Sequence, residues 1–575
     1  MLRSSKVKLV FQLTGGVLLI LAGCKKYEQF PVDKVTINYI FDPKDSAGVN
    51  AQKYLYGIYA DLKNGHNRVG GDYLDAASDD AVSSALSSTN NVSILSTAAY
   101  NSYTIPADEN LWAYYYQGIR SANEFINNID VVPVLAKYNG YSIKYLWKSE
   151  ARFLRAYFYF ELIKRYGGVP LLGNKVFTIN DDVALPRNSF ANCVSYIVKE
   201  CDAIKDTMLT YPVANPNADS HRATKGSAMA LKAKVLLYAA SPLFNGGNTD
   251  PSNPLTGYND YSADRWTQAA AAAKDVINLG SYSLLSNYKD IFLTQNNSEI
   301  IFFRQGPGDN GSFDVETNNG PVGFTGATGR GRTSPTQGLA DAFPMNNGLA
   351  ITDPTSGYKS NTPYANRDPR LTFTILYNGA QWLNTQLQTY EGGQSKPNTN
   401  VQQTKTSYYM RKFMGYFENA NSYSNHNEDW LIFRYADILL SYAEALNESA
   451  GPTNDVYAQL IAIRKRAGIT AGANVMYGLN SGMGQAEMRE AIHTERRLEF
   501  AFEESRYWDI RRWKTAETVM NQPRVGLSIV KTNTSLSYNP VTVLNTRFDA
   551  TKMYLYPIPY SEVLKNPNMK QNPGW

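Results

Sequence analysis

Three glutamates near the C-terminal end have the spacing of a catalytic set. Glu495, Glu499 and Glu503 recur every four residues, which places them on one face of a helix. Glycosidases need two carboxyl groups that face each other across a sugar, about 5 to 9.5 Å apart. Here Arg496 and Arg506 each lie three residues from one of these acids, which is the spacing of ion pairs on a helix surface. The pattern favours structural ion pairs, and a surface glycosidase is the weaker alternative.

The sequence offers little for metal chemistry. Its histidines are scattered, and it contains neither His-Glu-x-x-His nor Cys-x-x-Cys; they are His66, His221, His426 and His493. Oxygen ligands for calcium are available in one acidic cluster, formed by Asp72, Asp75, Asp79 and Asp80. That cluster lacks the order of an EF-hand, so helix capping and turn formation are favoured for it. We predict no metal and no cofactor, with calcium left open.

Aromatic residues are the most prominent feature of the composition, with 41 Tyr, 23 Phe and 8 Trp. Sugars present apolar C–H faces ringed by hydroxyl groups, so a site for them needs aromatic plates beside hydrogen-bonding side chains. The candidates are those that lie in predicted loops: Tyr73, Asp79, Tyr100, Asn101 and Tyr103 in a first loop, and Trp382 and Tyr390 in a later insert. Trp112, Trp508 and Trp513 lie on patterned helices, where core packing is favoured.

The first residues resemble a bacterial lipoprotein signal. Three basic residues precede an apolar run from Leu9 to Leu21 that is too short to span a bilayer. The run closes with Leu-Ala-Gly-Cys, the order of a lipobox, so we predict a signal peptide at 1–23 and lipidation of Cys24. Residues 24–50 are predicted as a tether. The net charge of +5, without a long Lys/Arg run, argues against a nucleic-acid partner.

The elements that must position these residues are helices. Lys148 to Leu172 carries two apolar faces and ends at Gly167 and Gly168, so it needs several neighbours. Further predicted helices cover 51–62, 111–129, 190–209, 224–240, 266–279, 433–447 and 455–467, and several form pairs with alanine at the closest approach. Such pairs are typical of tetratricopeptide-like repeats. The predicted fold is therefore mainly α.

A loop-rich insert interrupts the helix pairs. Residues 280–430 contain Gly and Asn clusters, with strands predicted at Glu299 to Arg304 and at the alternating residues 371–377. One charged helix is predicted over 485–514. Cys193 and Cys201, eight residues apart on one helix, are about 12 Å apart along its axis, too far for a disulfide.

Several ordered motifs resemble the SusD/RagB family of surface glycan-binding lipoproteins of Bacteroidetes. They are the lipobox, ARFLRAYFYFELIKRYGGVPL, RDPRL, FRYADILLSYAEALNE, IRKRAG, ERRLEFAFEESRYWDIRRW, and YPIP followed by QNPGW. The resemblance covers nearly the whole chain after Cys24. It implies a right-handed superhelical scaffold of helix pairs, with the ligand site on an irregular part containing a few short strands.

The resemblance also implies a function. Members of that family are not enzymes; they bind oligosaccharides at the outer membrane, facing the cell exterior, and act as lids on a SusC-like TonB-dependent transporter. We divide the chain accordingly into an N-terminal half, 51–280, and a C-terminal half, 281–575. The main alternative is a structural lid whose ligand is a peptide or another nutrient.

Overall fold

The computed structural model describes residues 36–85, 87, 89–247, 250–307, 311–399, 402–533 and 535–575. The predicted signal peptide and the predicted lipidation site, Cys24, lie outside the described residues. The longer helices are α1 (Val49–Ala60), α2 (Trp112–Asn128), α3 (Ile143–Tyr166), α4 (Phe190–Ile204), α5 (Lys225–Ala240), α6 (Ala263–Asn278), α7 (Tyr435–Ala450), α8 (Asn454–Ala467), α9 (Gln485–Glu499) and α10 (Ser505–Arg512).

The helices pack in chain order. Helix α1 packs on α2, α2 on α3, α3 on α4, α4 on α5 and α5 on α6. Helix α7 then packs on α6, although the insert separates them in sequence, and α8 and α9 both pack on α7. This succession confirms the predicted helix pairs and the mainly α architecture. The loop-rich insert is therefore placed in the sequence between two helices that pack directly on each other, so the helical stack is continuous.

Helix α3 occupies the centre of this stack because two of its faces are apolar. Phe153, Leu154, Phe158 and Leu162 are all fully buried. The ring of Phe158 stacks on Tyr115 of α2 with 5.8 Å between ring centroids. Burial of one such side chain contributes about 2 kcal/mol, so the aromatic pattern of α3 accounts for its central position.

A glycine allows α2 and α3 to approach closely. A Cβ atom added to Gly118 would lie 2.7 Å from the Phe158 ring, closer than van der Waals contact permits. Helix α3 ends at Gly167, whose φ of +75° is a conformation that side chains disfavour. Both glycines thus serve the geometry of the same helix.

Within the described residues, twelve short strands form two-stranded antiparallel ladders. They are β1 (Ala81–Ser83), β2 (Lys137–Tyr138), β3 (Tyr141–Ser142), β4 (Ile300–Arg304), β5 (Thr333–Pro335), β6 (Ile375–Leu376), β7 (Gln381–Trp382), β8 (Thr385–Gln386), β9 (Tyr409–Met410), β10 (Trp430–Arg434), β11 (Arg524–Lys531) and β12 (Leu536–Leu544). The pairs are β1 with β5, β2 with β3, β4 with β10, β6 with β9, β7 with β8 and β11 with β12. Strand β4 confirms the prediction for 299–304, and β10 leads directly into α7.

The strand predicted over 371–377 is largely wrong. Residues Arg370–Thr374 form a short helix, and only Ile375–Leu376 are extended. Asp368 accepts a hydrogen bond from the backbone N–H of Arg370 and pairs with its guanidinium, which starts the helix. The buried ion pair between Asp368 and Arg370 therefore outweighs the preference for a strand that the alternation of apolar residues indicates.

The single helix predicted over 485–514 is also wrong. It breaks between α9 and α10, where Phe502 and Glu504 adopt φ values of +64° and +60°. Asp75 stabilises this break, because its carboxylate accepts hydrogen bonds from the backbone N–H groups of both residues. Glu503 consequently leaves the helix face of Glu495 and Glu499.

Two smaller predictions are confirmed. Cys193 and Cys201 are both free and buried on α4. The indole rings of Trp112, Trp508 and Trp513 are buried. Among the residues that the structure describes, none of the helices has the length and apolar character needed to cross a membrane.

Candidate functional site

The acids of the rival glycosidase hypothesis are all engaged in ion pairs. Glu499 is buried and pairs with Arg370, Arg434 and Arg466. Burial opposes its ionisation, but these three guanidinium groups outweigh burial and hold the pKa of Glu499 well below its ordinary value. A carboxyl group in this state stays ionised and has no proton to give to a leaving group.

The neighbouring acids are engaged in the same way. Glu495 pairs with Arg370 and Arg464, which lower its pKa against the effect of burial. Glu503 pairs with Lys412 and Arg434. The ion pairs are buried and reach across the fold, which corrects the prediction that they lie on a helix surface. Structural pairing is nevertheless the role that the spacing favoured.

The acidic cluster of the first loop connects that loop to distant parts of the chain. Asp72 pairs with Arg332, Asp75 accepts the two N–H groups described above, and Asp80 pairs with Arg497. These carboxylates thus have protein partners on several different elements. The arrangement differs from the capping and turn roles that the sequence favoured, because the partners are far away in the sequence.

Asp79 lines a cavity of about 400 Å³ between the first loop, the segment of Arg497 to Arg506 and the start of β11. Arg506 binds its carboxylate through two hydrogen bonds of 2.8 and 2.9 Å, and Arg497 approaches to 3.0 Å. Burial opposes ionisation, but the two arginines prevail and lower the pKa of Asp79 well below its ordinary value. Arg524, a third guanidinium, lines the same cavity. The excess of donors suits a ligand rich in oxygen acceptors.

Tyr103 is the most exposed of the predicted aromatic residues, with 67% of its surface accessible. Its ring stacks on Tyr560 at 3.9 Å between centroids and 26° between planes. Asn101 supports the turn that presents it, because its side-chain oxygen accepts the N–H groups of Tyr103 and Thr104. We call Tyr103 and Tyr560 the tyrosine platform; the two stacked rings cover each other's inner faces, and Tyr103 is the more exposed of the two.

Tyr390 lies at a second edge of the loop-rich part. The ring is half-buried, and the ammonium group of Lys531 lies 4.9 Å from its centroid. The hydroxyl group donates a hydrogen bond of 2.8 Å to Gln388. Lys531 and Gln388 therefore hold the ring of Tyr390 in place, and part of its surface is accessible.

Three predicted stacking residues belong to the core instead. Tyr73 is fully buried, stacked on Phe413, with its hydroxyl group 2.7 Å from His66. Trp382 is fully buried, and its indole N–H donates to the hydroxyl group of Tyr423. The buried ring of Tyr100 packs against Trp575. These positions correct the prediction, because enclosed rings cannot stack on a ligand in this conformation.

The residues that complete the tyrosine platform and the Asp79 cavity were not predicted from the sequence. Tyr560 follows the YPIP motif, and its N–H donates to the carbonyl oxygen of Ser102. Arg497 and Arg506 belong to the segment in which the spacing predicts only helix-surface pairs. Their distance in sequence from Asp79 left no local signal, so only the fold brings them together.

Two family models match most of the chain. One is described as the SusD family and matches residues 298–575, and the other is described as starch-binding associating with outer membrane and matches residues 44–237. SusD-like protein P25 of Formosa agariphila is 23% identical over 421 residues, which cover 70% of this chain and 69% of that protein.

Solved structures agree with this match. A SusD-like protein from Bacteroides fragilis superposes with a TM-score of 0.75 at 26% identity, covering 94% of this chain and 100% of its own. A SusD-like carbohydrate-binding protein from the same species gives a TM-score of 0.72 at 24% identity, covering 91% and 99%, and that likeness concerns the fold alone. On the two family matches and this shared architecture, the chain belongs to the SusD/RagB family.

Proposed function

We propose that this protein is a non-catalytic glycan-binding lipoprotein of the outer membrane that delivers its ligand to a SusC-like TonB-dependent transporter. The observation that carries the proposal is the match of residues 44–237 to a family described as starch-binding and associated with the outer membrane. The lipobox ending at Cys24 supplies the anchor. Lipidation with more than one acyl chain gives stable membrane attachment.

The geometry supports binding without catalysis. The tyrosine platform offers an aromatic face of the kind on which the apolar face of a sugar ring packs. The three glutamates with catalytic spacing are held by arginine and lysine side chains. A binding site of this kind needs stacking and hydrogen bonds, and it needs no proton donor.

The platform provides the first test. Calorimetry of the soluble protein, with Cys24 replaced by Ser, against a panel of polysaccharides identifies the ligand. Replacement Tyr103→Ala then removes one ring, and we expect an affinity about 5- to 150-fold weaker, because base–aromatic stacking of comparable area is worth about 1–3 kcal/mol. Tyr261→Ala is the matched control, since Tyr261 is 63% exposed and lies outside the platform.

The outcomes distinguish the alternatives. Hydrolysis of a bound glycan at enzymatic rates would contradict the non-catalytic proposal. Affinity for peptides, with none for any glycan, would favour the lid with a different nutrient. Delivery is tested separately by isolating the lipidated protein from outer membranes, where we expect a TonB-dependent barrel to co-purify.

A further inference from the structure

A histidine and two glutamates meet inside the loop-rich part, away from the surfaces described above. Glu316, on the short helix Asp314–Asn319, lies beside His426 and Glu428. One donor atom from each of the three side chains lies within 4.8 Å of the other two. Glu316 is fully buried, and Glu428 is nearly so.

Backbone contacts bring the two segments together. Ser312 and His426 exchange N–H···O=C hydrogen bonds of 3.0 Å in both directions. Glu428 accepts a hydrogen bond of 2.9 Å from the N–H of Val315. The three side chains are therefore held by fixed main chain rather than by long flexible loops.

The imidazole has the orientation of a metal ligand. Its Nδ1 atom lies 2.8 Å from the carbonyl oxygen of Asn427, so Nδ1–H donates to that oxygen. The other nitrogen, Nε2, shares a proton with the carboxylate of Glu316 at 2.8 Å, and that proton must leave before a metal ion can bind. A histidine that donates one N–H to a backbone carbonyl presents the lone pair of its other nitrogen to a metal ion.

Within the part of the chain that the structure describes, neither carboxylate has the arginine partner that other buried glutamates of this protein have, and the basic group beside Glu316 is the imidazole of His426. Glu109, Glu150 and Glu499 are equally buried, and each pairs with arginine. Among the described residues, neither Glu316 nor Glu428 forms an ion pair with arginine or lysine. One oxygen of Glu316, Oε2, is buried with no hydrogen-bond partner in the described part of the chain. An unpaired buried carboxylate is costly unless a cation compensates it.

The charge balance of the cluster agrees with this. Two carboxylates against one imidazole leave a surplus of negative charge when both are ionised. A divalent cation would remove that surplus and satisfy the free oxygen.

We propose that Glu316, His426 and Glu428 form a zinc-binding site. Imidazole nitrogen together with carboxylate oxygen suits Zn²⁺, whereas Ca²⁺ takes six to eight oxygen ligands and has little use for imidazole. Zinc bonds of about 2.1 Å place tetrahedral donors about 3.4 Å apart. Modest rotamer shifts therefore close the site, with water as the fourth ligand. Binding displaces the proton shared by His426 and Glu316.

The site would brace the loop-rich part. It ties the segment of Ser312 to Glu316 to the segment that leads into β10. Gly415 also belongs to this region, since its N–H donates to Glu316. This role is independent of the glycan proposal, because neither the tyrosine platform nor the Asp79 cavity contains any of the three ligands.

The test is metal binding by the whole soluble protein after removal of metals with a chelator. We expect one Zn²⁺ per chain by elemental analysis and calorimetry, a higher melting temperature with zinc, and no such shift with Ca²⁺. Co²⁺ should give visible absorption bands of a four-coordinate site. His426→Ala should weaken zinc binding at least tenfold, whereas His221→Ala, which replaces a histidine outside the cluster, should leave it unchanged.

Glu428→Gln provides the variant that preserves the fold, because its amide oxygen still accepts the N–H of Val315. It should also lose at least tenfold in zinc affinity while its circular dichroism spectrum stays that of the parent. The proposal is overturned if the parent protein binds no stoichiometric zinc. It is equally overturned if folded Glu428→Gln or His426→Ala protein binds zinc as tightly as the parent.

Discussion

At the scale of single residues, burial decides what each polar side chain can do. Tyr73 and Tyr103 both lie in the first loop, yet one is enclosed by Phe413 and the other is open to solvent. His66 is another enclosed residue, with its ring packed against Phe413 and Trp430 at 4.9 and 5.1 Å. An enclosed imidazole of this kind is kept neutral, which makes the fold sensitive to acid.

His66 should contribute a pH-dependent loss of stability. Burial lowers its pKa to about 3, against about 6.5 in the unfolded chain. The unfolded state therefore binds the proton first, so stability is full above pH 6.5 and falls as the pH approaches 3. Between pH 6.5 and 5 the loss from this residue should be about 2 kcal/mol.

Urea unfolding of the parent and of His66→Gln across this pH range checks the prediction. The variant should show a flatter dependence of unfolding free energy on pH, because it lacks the contribution of His66 while all other titrating groups are common to both proteins. Parallel curves for the two proteins would show that the pKa of His66 is the same in the folded and unfolded states.

At the scale of elements, the spacing between helices is set by small residues. Helix α2 approaches α3 where Gly118 faces Phe158, and a Cβ atom there would collide with a ring in the core. Gly57 of α1 is also helical, but a Cβ atom added to it meets no atom within 4 Å. At Gly57 only helix propensity should decide the effect of a substitution, whereas at Gly118 the packing of the two helices should also count.

Substitution of these glycines by alanine should have opposite effects. Gly57→Ala should stabilise the protein by about 0.5–1 kcal/mol, which is the difference in helix propensity. Gly118→Ala should destabilise it by about 1–3 kcal/mol, because displacement of the Phe158 ring outweighs that gain. Chemical unfolding of both variants measures the difference; a stabilised Gly118→Ala protein would mean that α2 and α3 can separate without cost.

At the scale of the whole molecule, one hydrophobic cluster extends from Phe41 to Met569 and includes residues of both predicted halves. The first loop contributes to this unity, because Asp75 and Asp79 bind groups near residues 502–506. We expect the molecule to unfold as one cooperative unit rather than as two halves.

Asp75→Ala tests this coupling. The change leaves the backbone N–H groups of Phe502 and Glu504 buried and unpaired, which should cost about 2–4 kcal/mol. The control Asp264→Ala, at an exposed position in the first turn of α6, should cost less than about 0.5 kcal/mol. Calorimetry should show a single transition at lower temperature for Asp75→Ala; a separate early transition would indicate two independent units.

The helical stack was predictable because its signals are local. Aromatic and alanine periodicity in α3, α5, α6 and α7 marks both the helices and their contact faces, and glycine marks where α3 ends. The ordered motifs were also sufficient to identify the family. These signals depend on residues within a few turns of one another.

The features that the sequence did not predict depend on contacts between residues that are far apart in the chain. The break after α9 is held by Asp75, and the helix at Arg370 is held by buried pairs with Glu495 and Glu499. The candidate site shows the same limit. Tyr103, Asn101, Asp79 and Tyr390 lie at accessible or cavity-lining positions, whereas the burial of Tyr73, Tyr100 and Trp382 is decided by rings from elsewhere in the chain.

The tyrosine platform has a consequence for biogenesis. Its two rings belong to Tyr103 and Tyr560, at opposite ends of the polypeptide. Because synthesis proceeds from the N-terminus, α1 to α6 can assemble before residue 560 has been made. The tyrosine platform therefore forms only after residue 560 has been synthesised. A chain that stops before this residue would carry Tyr103 without the ring on which it stacks.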